Sequence, residues 1–248
     1  MRLDGGSVNE VFRVDSGCGR FVLRLNGAHW RRPGVDRSRE LLLHAAAAAA
    51  GIAPAIAQAA PQAQGLLITE FQHGRLWSER DYEDVAAMRR LGERLQALHA
   101  LPVPDIPAFD PWSVAQDYVR QIEQRSPGAL NTPERLQPLA RLQRTCAGLH
   151  PASGAAAIVH GDLDQNNLLD GSRLWLLDWE YAQRSDALMD LACVLAYYPA
   201  ARPYSAELAA AAGLGAQAQG EALLQRVYIY RALSWLWHLA RGEPASAP

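Results

Sequence analysis

The chain has 248 residues, 49% of them hydrophobic, with 24 basic and 26 acidic side chains and a formal net charge of −2. That is enough apolar material for a sizeable core, and the near-neutral balance excludes the basic footprint of a nucleic-acid or anionic-membrane binder. Every basic residue is Arg, so a Walker-type phosphate loop and Schiff-base catalysis, both of which need Lys, are excluded too.

Cys18, Cys146 and Cys193 are odd in number and far apart, which predicts free thiols rather than a disulfide framework or a zinc site. The N-terminus lacks the apolar run of a signal peptide, and no stretch of about 18 uncharged apolar residues follows. The expectation is a soluble cytoplasmic protein with small-molecule partners, no nucleic acid and no membrane. Nothing in the sequence speaks to oligomeric state.

Along the chain, residues 11–14 and 20–25 alternate around the turn-rich "DSGCG" and predict a β-hairpin. In its second strand Phe21, Leu23 and Leu25 share one face, and Val22 and Arg24 the other. A helix is expected over 35–50, stopping at Gly51 with Pro54 beyond. Residues 66–71 read as a strand, and "QHGR" after them as a hinge. Val85, Met88, Leu91, Leu95 and Leu98 recur at helical spacing and predict a helix over 85–99. The Pro-rich segment 100–112 reads as an irregular connection, followed by a helix over 113–124. Helices are also expected over 186–198 and 221–241. The resulting fold class is α+β, with a strand-rich lobe over 1–72, a mostly helical lobe over 73–248, and a ligand cleft between them.

Inside the helical lobe lies "IVHGDLDQNNLLD", residues 158–170, with "DWEYA" at 178–182. Polar groups set between apolar runs are costly unless something satisfies them. Asp170-Gly171 reads as a two-residue hairpin turn, which folds 162–167 beside 174–178. Asn167 and Asp178 can then share a hard cation such as Mg²⁺ through oxygen atoms, with phosphate and water completing its shell. Asp162 falls near that cation without ligating it, where a base for a substrate hydroxyl belongs.

The spacing His160-Gly161-Asp162, four residues, Asn167, then Asp178-Trp179-Glu180-Tyr181-Ala182 and Asp190-Leu191-Ala192 resembles the aminoglycoside phosphotransferase and choline kinase superfamily. Its wording is most similar to choline and thiamine kinases. The resemblance implies a protein-kinase-like two-lobe fold and an ATP- and Mg²⁺-dependent transfer of phosphate to a small-molecule hydroxyl. It extends to "GGSVNEVFRV", which is similar to the family's nucleotide loop and brings in Gly5, Gly6, Ser7 and Asn9. It also reaches "FVLRL", whose phosphate-contacting cation here is Arg24, and Glu40, the acidic partner of that cation.

Carried over, Asp162 is the catalytic base, Asn167 and Asp178 are the magnesium ligands, and His160 and Asp190 brace the loop. Glu180 is a position near metal or substrate, and the choice between them stays open. Three features depart from the family pattern: Asn166 stands where Gly is usual, Arg24 where Lys is common, and the chain starts almost at the glycine loop, without the helix and strand that relatives often carry before it.

Other polar residues have plainer readings. His99 and His150 are expected as surface or capping residues, and Asp164 and Asp170 as solvated turn residues. Tyr228, Tyr230, Trp235 and Trp237 on the last helix are expected mostly in the core, with some walling an acceptor pocket. Aromatic faces hold choline- or thiamine-like cations, whereas an aminoglycoside needs many carboxylates, and the last fifty residues hold only Glu207, Glu221 and Glu243. The alternatives are an aminoglycoside or amino-sugar kinase, a catalytically silent nucleotide-binding pseudokinase, and a two-metal phosphohydrolase, which would need more clustered His ligands.

Overall fold

The structure is a computed structural model and describes residues 1–3, 9–27, 33–60, 65–149 and 156–248. Gly5, Gly6, Ser7 and His150 lie outside the described residues. The expected hairpin forms from β1 (Glu10–Ser16) and β2 (Gly19–Leu25), in register from Glu10 opposite Leu25 to Ser16 opposite Gly19. Two further strands complete a four-stranded antiparallel sheet of order β1-β2-β4-β3: β3 (Ile56–Ala60) and β4 (Leu66–Glu70). The sequence gives β3 no strand signal, because "IAQAA" is poor in β-formers; its pairing with β4 supplies what propensity does not. Ahead of the glycine segment the chain already pairs with β1, with Arg2 bridging Phe12 and Leu3 N donating to Val11 O at 2.8 Å.

Helix α1 (Arg37–Ala49) starts two residues later than expected, because Asp36 caps it by accepting from Ser38 N and Arg39 N. It buries Arg37, Glu40, Leu43, His44 and Ala47. The expected hinge after β4 is corrected by the structure: Gly74–Leu76 is a strand, β5, hydrogen-bonded to β7 (Leu168–Gly171), which pairs in turn with β8 (Leu174–Leu176).

The position of the turn between β7 and β8 is also corrected. Gly171 ends the strand, and the chain reverses over Gly171 to Arg173, with Gly171 N donating to Arg173 O at 3.1 Å. The reason for glycine there is close approach, since a Cβ at 171 would stand 2.2 Å from the His73 carbonyl oxygen.

Helix α2 (Val85–His99) has the predicted bounds, and Met88, Leu91, Leu95 and Leu98 are fully buried. Helix α3 (Pro111–Arg125) begins at a proline behind the Asp110 cap. Helix α4 (Pro133–Ala147), interrupted in sequence by Pro138, was not expected. Strands β6 (Ala157–Val159) and β9 (Gln183–Ser185) bracket the polar hairpin and pair antiparallel. They are followed by α5 (Leu188–Tyr197), α6 (Ser205–Ala211) and α7 (Glu221–Arg241), the last with its predicted bounds. The architecture is mixed α+β, with the core of the helical lobe built around α2, α5 and α7.

Candidate active site

The segment that leaves β6 is held by α5. Asp190, fully buried, accepts from Gly161 N at 2.9 Å and His160 N at 3.1 Å. It also meets His99 Nε2 at 2.9 Å, which corrects the expected surface position of His99: its side chain is only 8% exposed. Gly161 has φ +77°, and a Cβ there would lie 2.7 Å from Tyr181 O, so both conformation and space demand glycine.

His160 is fully buried with Nε2 2.8 Å from Leu177 O, while Nδ1 receives Asp162 N at 3.3 Å. One nitrogen faces a carbonyl and the other an amide, which assigns the neutral ring with its proton on Nε2. Burial pushes the imidazole down to about 4, against the pull of Asp190 and its hydrogen bond to Leu177.

Asp162 emerges from this brace. Asn167 Nδ2 donates to both Asp162 O and Asp162 Oδ2 at 2.9 Å, so the amide orients the carboxylate. Across the hairpin Leu177 N donates to Asn167 O at 2.8 Å, which puts Asp178 beside Asn167 just past the end of β8. Asp178 has φ 55°, and it is the one non-glycine residue at positive φ among the described residues. Such strain persists only where the surroundings hold it.

Loss of water around Asp162, then repulsion from Asp178, Glu180 and Asp164, pushes its carboxyl up to about 8. Asp178 is pushed up as well, by desolvation and Glu180, against the attraction of Arg24.

The small lobe answers with arginines. Arg24 Nη2 lies 2.5 Å from Glu40 Oε1, and its Nη1 2.5 Å from Asp178 Oδ1. Burial works against the Arg24 charge, but Asp178, Glu40 and Glu180 outweigh it and raise its pKa above the ordinary Arg range. Arg37, which the sequence reading did not single out, places Nη1 2.7 Å from Glu40 Oε2 and 3.0 Å from Glu180 Oε2. Asn9 Nδ2 donates to Glu180 Oε2 at 3.2 Å. Sequence places Arg37 three positions before Glu40 on the same face of α1, but neither its burial nor its contact with Glu180 is visible there.

Asp164 is not the solvated turn residue expected. It accepts from the Tyr198 hydroxyl at 2.7 Å, while Gln165 N donates to that hydroxyl at 2.9 Å. Tyr198 stacks on Tyr82, rings 3.7 Å apart, and Tyr82 donates to Leu163 O at 2.8 Å. Under the same loop, Leu163 N donates to Cys193 Sγ at 3.3 Å. Asp170 is likewise in a strand rather than a turn and pairs with Arg90 at 3.1 Å.

These groups open on a cavity of about 610 Å³. Asn9, Asp162, Asn167, Asp178 and Glu180 line it, and Arg24 stands behind Asp178, outside the lining. Tyr230, Ser234, Trp237 and His238 line it from one face of α7, whereas Tyr228 and Trp235 do not. Among the described residues no three His, Cys, Asp or Glu side chains form a metal cage. Closely spaced carboxylates that raise one another's pKa suit a hard cation that brings its own oxygen ligands from a phosphate.

A model of the phosphotransferase enzyme family, APH, matches residues 1–228. No curated protein sequence matches the chain. Among solved structures, a choline/ethanolamine kinase family protein from Mesorhizobium loti is 27% identical at a TM-score of 0.73, over 96% of this chain and 77% of its own. The choline kinase LicA from Streptococcus pneumoniae is 16% identical at a TM-score of 0.72, over 97% and 86%. The GDP and kanamycin complex of APH(2")-IIia is 17% identical at a TM-score of 0.68, over 98% and 85%. The kinase-like two-lobe fold is common to all three.

Proposed function

This chain belongs to the phosphotransferase enzyme family, and we propose that it transfers the γ-phosphate of ATP to the hydroxyl of a small organic cation of the choline or thiamine type. Nucleotide use is supported by relatives of the same fold solved with AMP and with GDP. In this reading Asp162 takes the proton of the acceptor hydroxyl as its oxygen bonds to phosphorus and the β–γ bridge breaks, yielding ADP and a phosphate monoester. Asn167 and Asp178 would hold Mg²⁺, which when bound offsets charge on the phosphate oxygens. Arg24, oriented by Glu40, contacts phosphate, and residues 1–72 form the nucleotide lobe, with Gly5, Gly6 and Ser7 in its loop.

The observation that carries the acceptor class is the cavity's lining. Tyr181, Tyr197, Tyr230 and Trp237 supply aromatic surface, and no Arg is among its described lining residues. The cavity also contains more carboxylates than the last fifty residues suggested. Asp178, Glu180 and Asp164 are already engaged by Arg24, Arg37 and Tyr198, and Asp162 is reserved for the proton. Glu79, exposed at the rim, is left for a cation. One carboxylate with aromatic walls suits a single cationic centre better than the several ammonium groups of an aminoglycoside.

Purified protein screened for ATP consumption, with Mg²⁺, against choline, ethanolamine, thiamine, amino sugars and aminoglycosides tests this. Turnover with a monocationic alcohol is expected. Turnover with aminoglycosides alone would replace the acceptor assignment, and nucleotide binding with no turnover on any acceptor would favour the pseudokinase reading.

A further inference from the structure

We propose that Arg37 is a positioning residue of the phosphoryl-transfer site, an inference that rests on the phosphotransferase reading. It is the first residue of α1, 4% exposed, and it does not line the cavity. Glu40 divides its two oxygens between Arg24 and Arg37, and each arginine then reaches one carboxylate of the same short turn, Asp178 or Glu180. The small lobe thus grips the Asp178–Glu180 turn at two points from one hub.

The two grips have different duties. Arg24 Nη1 occupies Asp178 Oδ1, an oxygen assigned here to metal ligation, so Arg24 has to exchange that contact for phosphate when MgATP enters. Arg37 bonds Glu180, two residues further on, which is not among the metal ligands assigned here. It keeps the turn seated, with Asp178 in its left-handed conformation, while Arg24 changes partner. Asn9, at the end of the glycine segment, adds its bond to the same Glu180 oxygen.

Charge points the same way. Glu40, Asp178 and Glu180 face Arg24 and Arg37; losing Arg37 removes a guanidinium bonded to both Glu40 and Glu180, two carboxylates that are almost fully buried. Uncompensated buried charge is costly, and the least expensive relief is for the turn carrying Glu180 to move away.

The test compares Arg37→Gln and Arg37→Lys with the parent protein by hydrogen exchange of the 178–182 backbone without nucleotide, and by calorimetry of ATP binding with and without Mg²⁺. Arg37→Gln is expected to lose protection in that turn and to weaken Mg²⁺-dependent ATP binding by about 10- to 100-fold. Arg37→Lys is expected to recover most of both, because a single nitrogen, Nη1, makes both contacts. Unchanged exchange in the Gln variant, or no recovery by Lys, would overturn the assignment. Should Arg37→Gln not fold, Glu180→Ala removes the same bond from the turn side and is expected to lose the same protection in the exchange measurement. A parent protein that binds neither ATP nor GTP would refute the phosphotransferase reading, while the exchange comparison would still decide whether Arg37 seats the turn.

Discussion

Arg24 Nη1 and Asp178 Oδ1 stand 2.5 Å apart, joining the small-lobe sheet to the polar hairpin across 154 positions of sequence. Glu40 orients Arg24 and, through its other oxygen, Arg37. Arg24→Ala is therefore expected to weaken ATP binding or turnover strongly. Glu40→Gln should be at least as damaging, because it removes the charge that neutralises two buried guanidiniums at once. Steady-state kinetics with varied ATP check this; a Glu40 variant milder than Arg24→Ala would show that the hub is dispensable.

Asp162→Asn keeps the side-chain shape and the contact with Asn167 but cannot take a proton. Turnover should fall by about 10²- to 10⁴-fold, with ATP affinity changed little. Full activity in this variant would remove Asp162 from the role of base.

If Asn167 and Asp178 provide the protein's oxygen ligands to Mg²⁺, Asp178→Ala should abolish the magnesium-dependent tightening of ATP binding. Asn167→Ala should weaken it, and should also release the Asp162 carboxylate from its hydrogen bond. Calorimetry with ATP in the presence and absence of Mg²⁺ separates these outcomes; equal magnesium linkage in both variants and the parent would contradict the ligand assignment.

His160 gives a prediction in pH. Burial holds its folded-state value at about 4, below the roughly 6.5 of an unfolded chain. Between those values the unfolded state binds a proton that the folded state refuses, so stability is present above about 6.5 and is lost as pH falls toward 4. His44, lowered by burial in the same direction, adds to the loss. His160→Gln should flatten the decline of melting temperature over this window by about one proton's linkage. A parallel decline in variant and parent would mean that His160 is not the group responsible.

Much of this site was legible in sequence because its chemistry is local. His160, Asp162, Asn167 and Asp178 sit on one hairpin, and the spacing of that pattern together with its resemblance to a known family pointed to them. The bounds of α2 and α7 were equally legible, each carrying a continuous helical signal with a clear stop. What escaped was non-local. β3 is a strand only because β4 pairs with it, and Gly74–Leu76 only because Gly171 lets the backbone approach. His99 looked like a surface residue at the end of a helix until Asp190 closed over it from 91 positions away. Arg37 resembled any other arginine at a helix start; its importance depends on Glu180, which sequence separates from it by 143 residues.

The thiol of Cys193 lies fully buried beneath the segment that carries Asp162, accepting the amide of Leu163, and burial pushes its pKa well above that of a free thiol. The molecule therefore contains its own clock for opening of the segment that carries Asp162. Cys193 is closed to an alkylating reagent in this structure, so in a Cys18→Ser, Cys146→Ser background the labelling rate reports opening of the packing around it, of which the Leu163 segment is part. Ligands that engage Asp162 from the cavity side should slow the labelling, giving an assay of acceptor binding that needs no turnover; labelling at the rate of an exposed thiol would show that the segment does not cover it in solution.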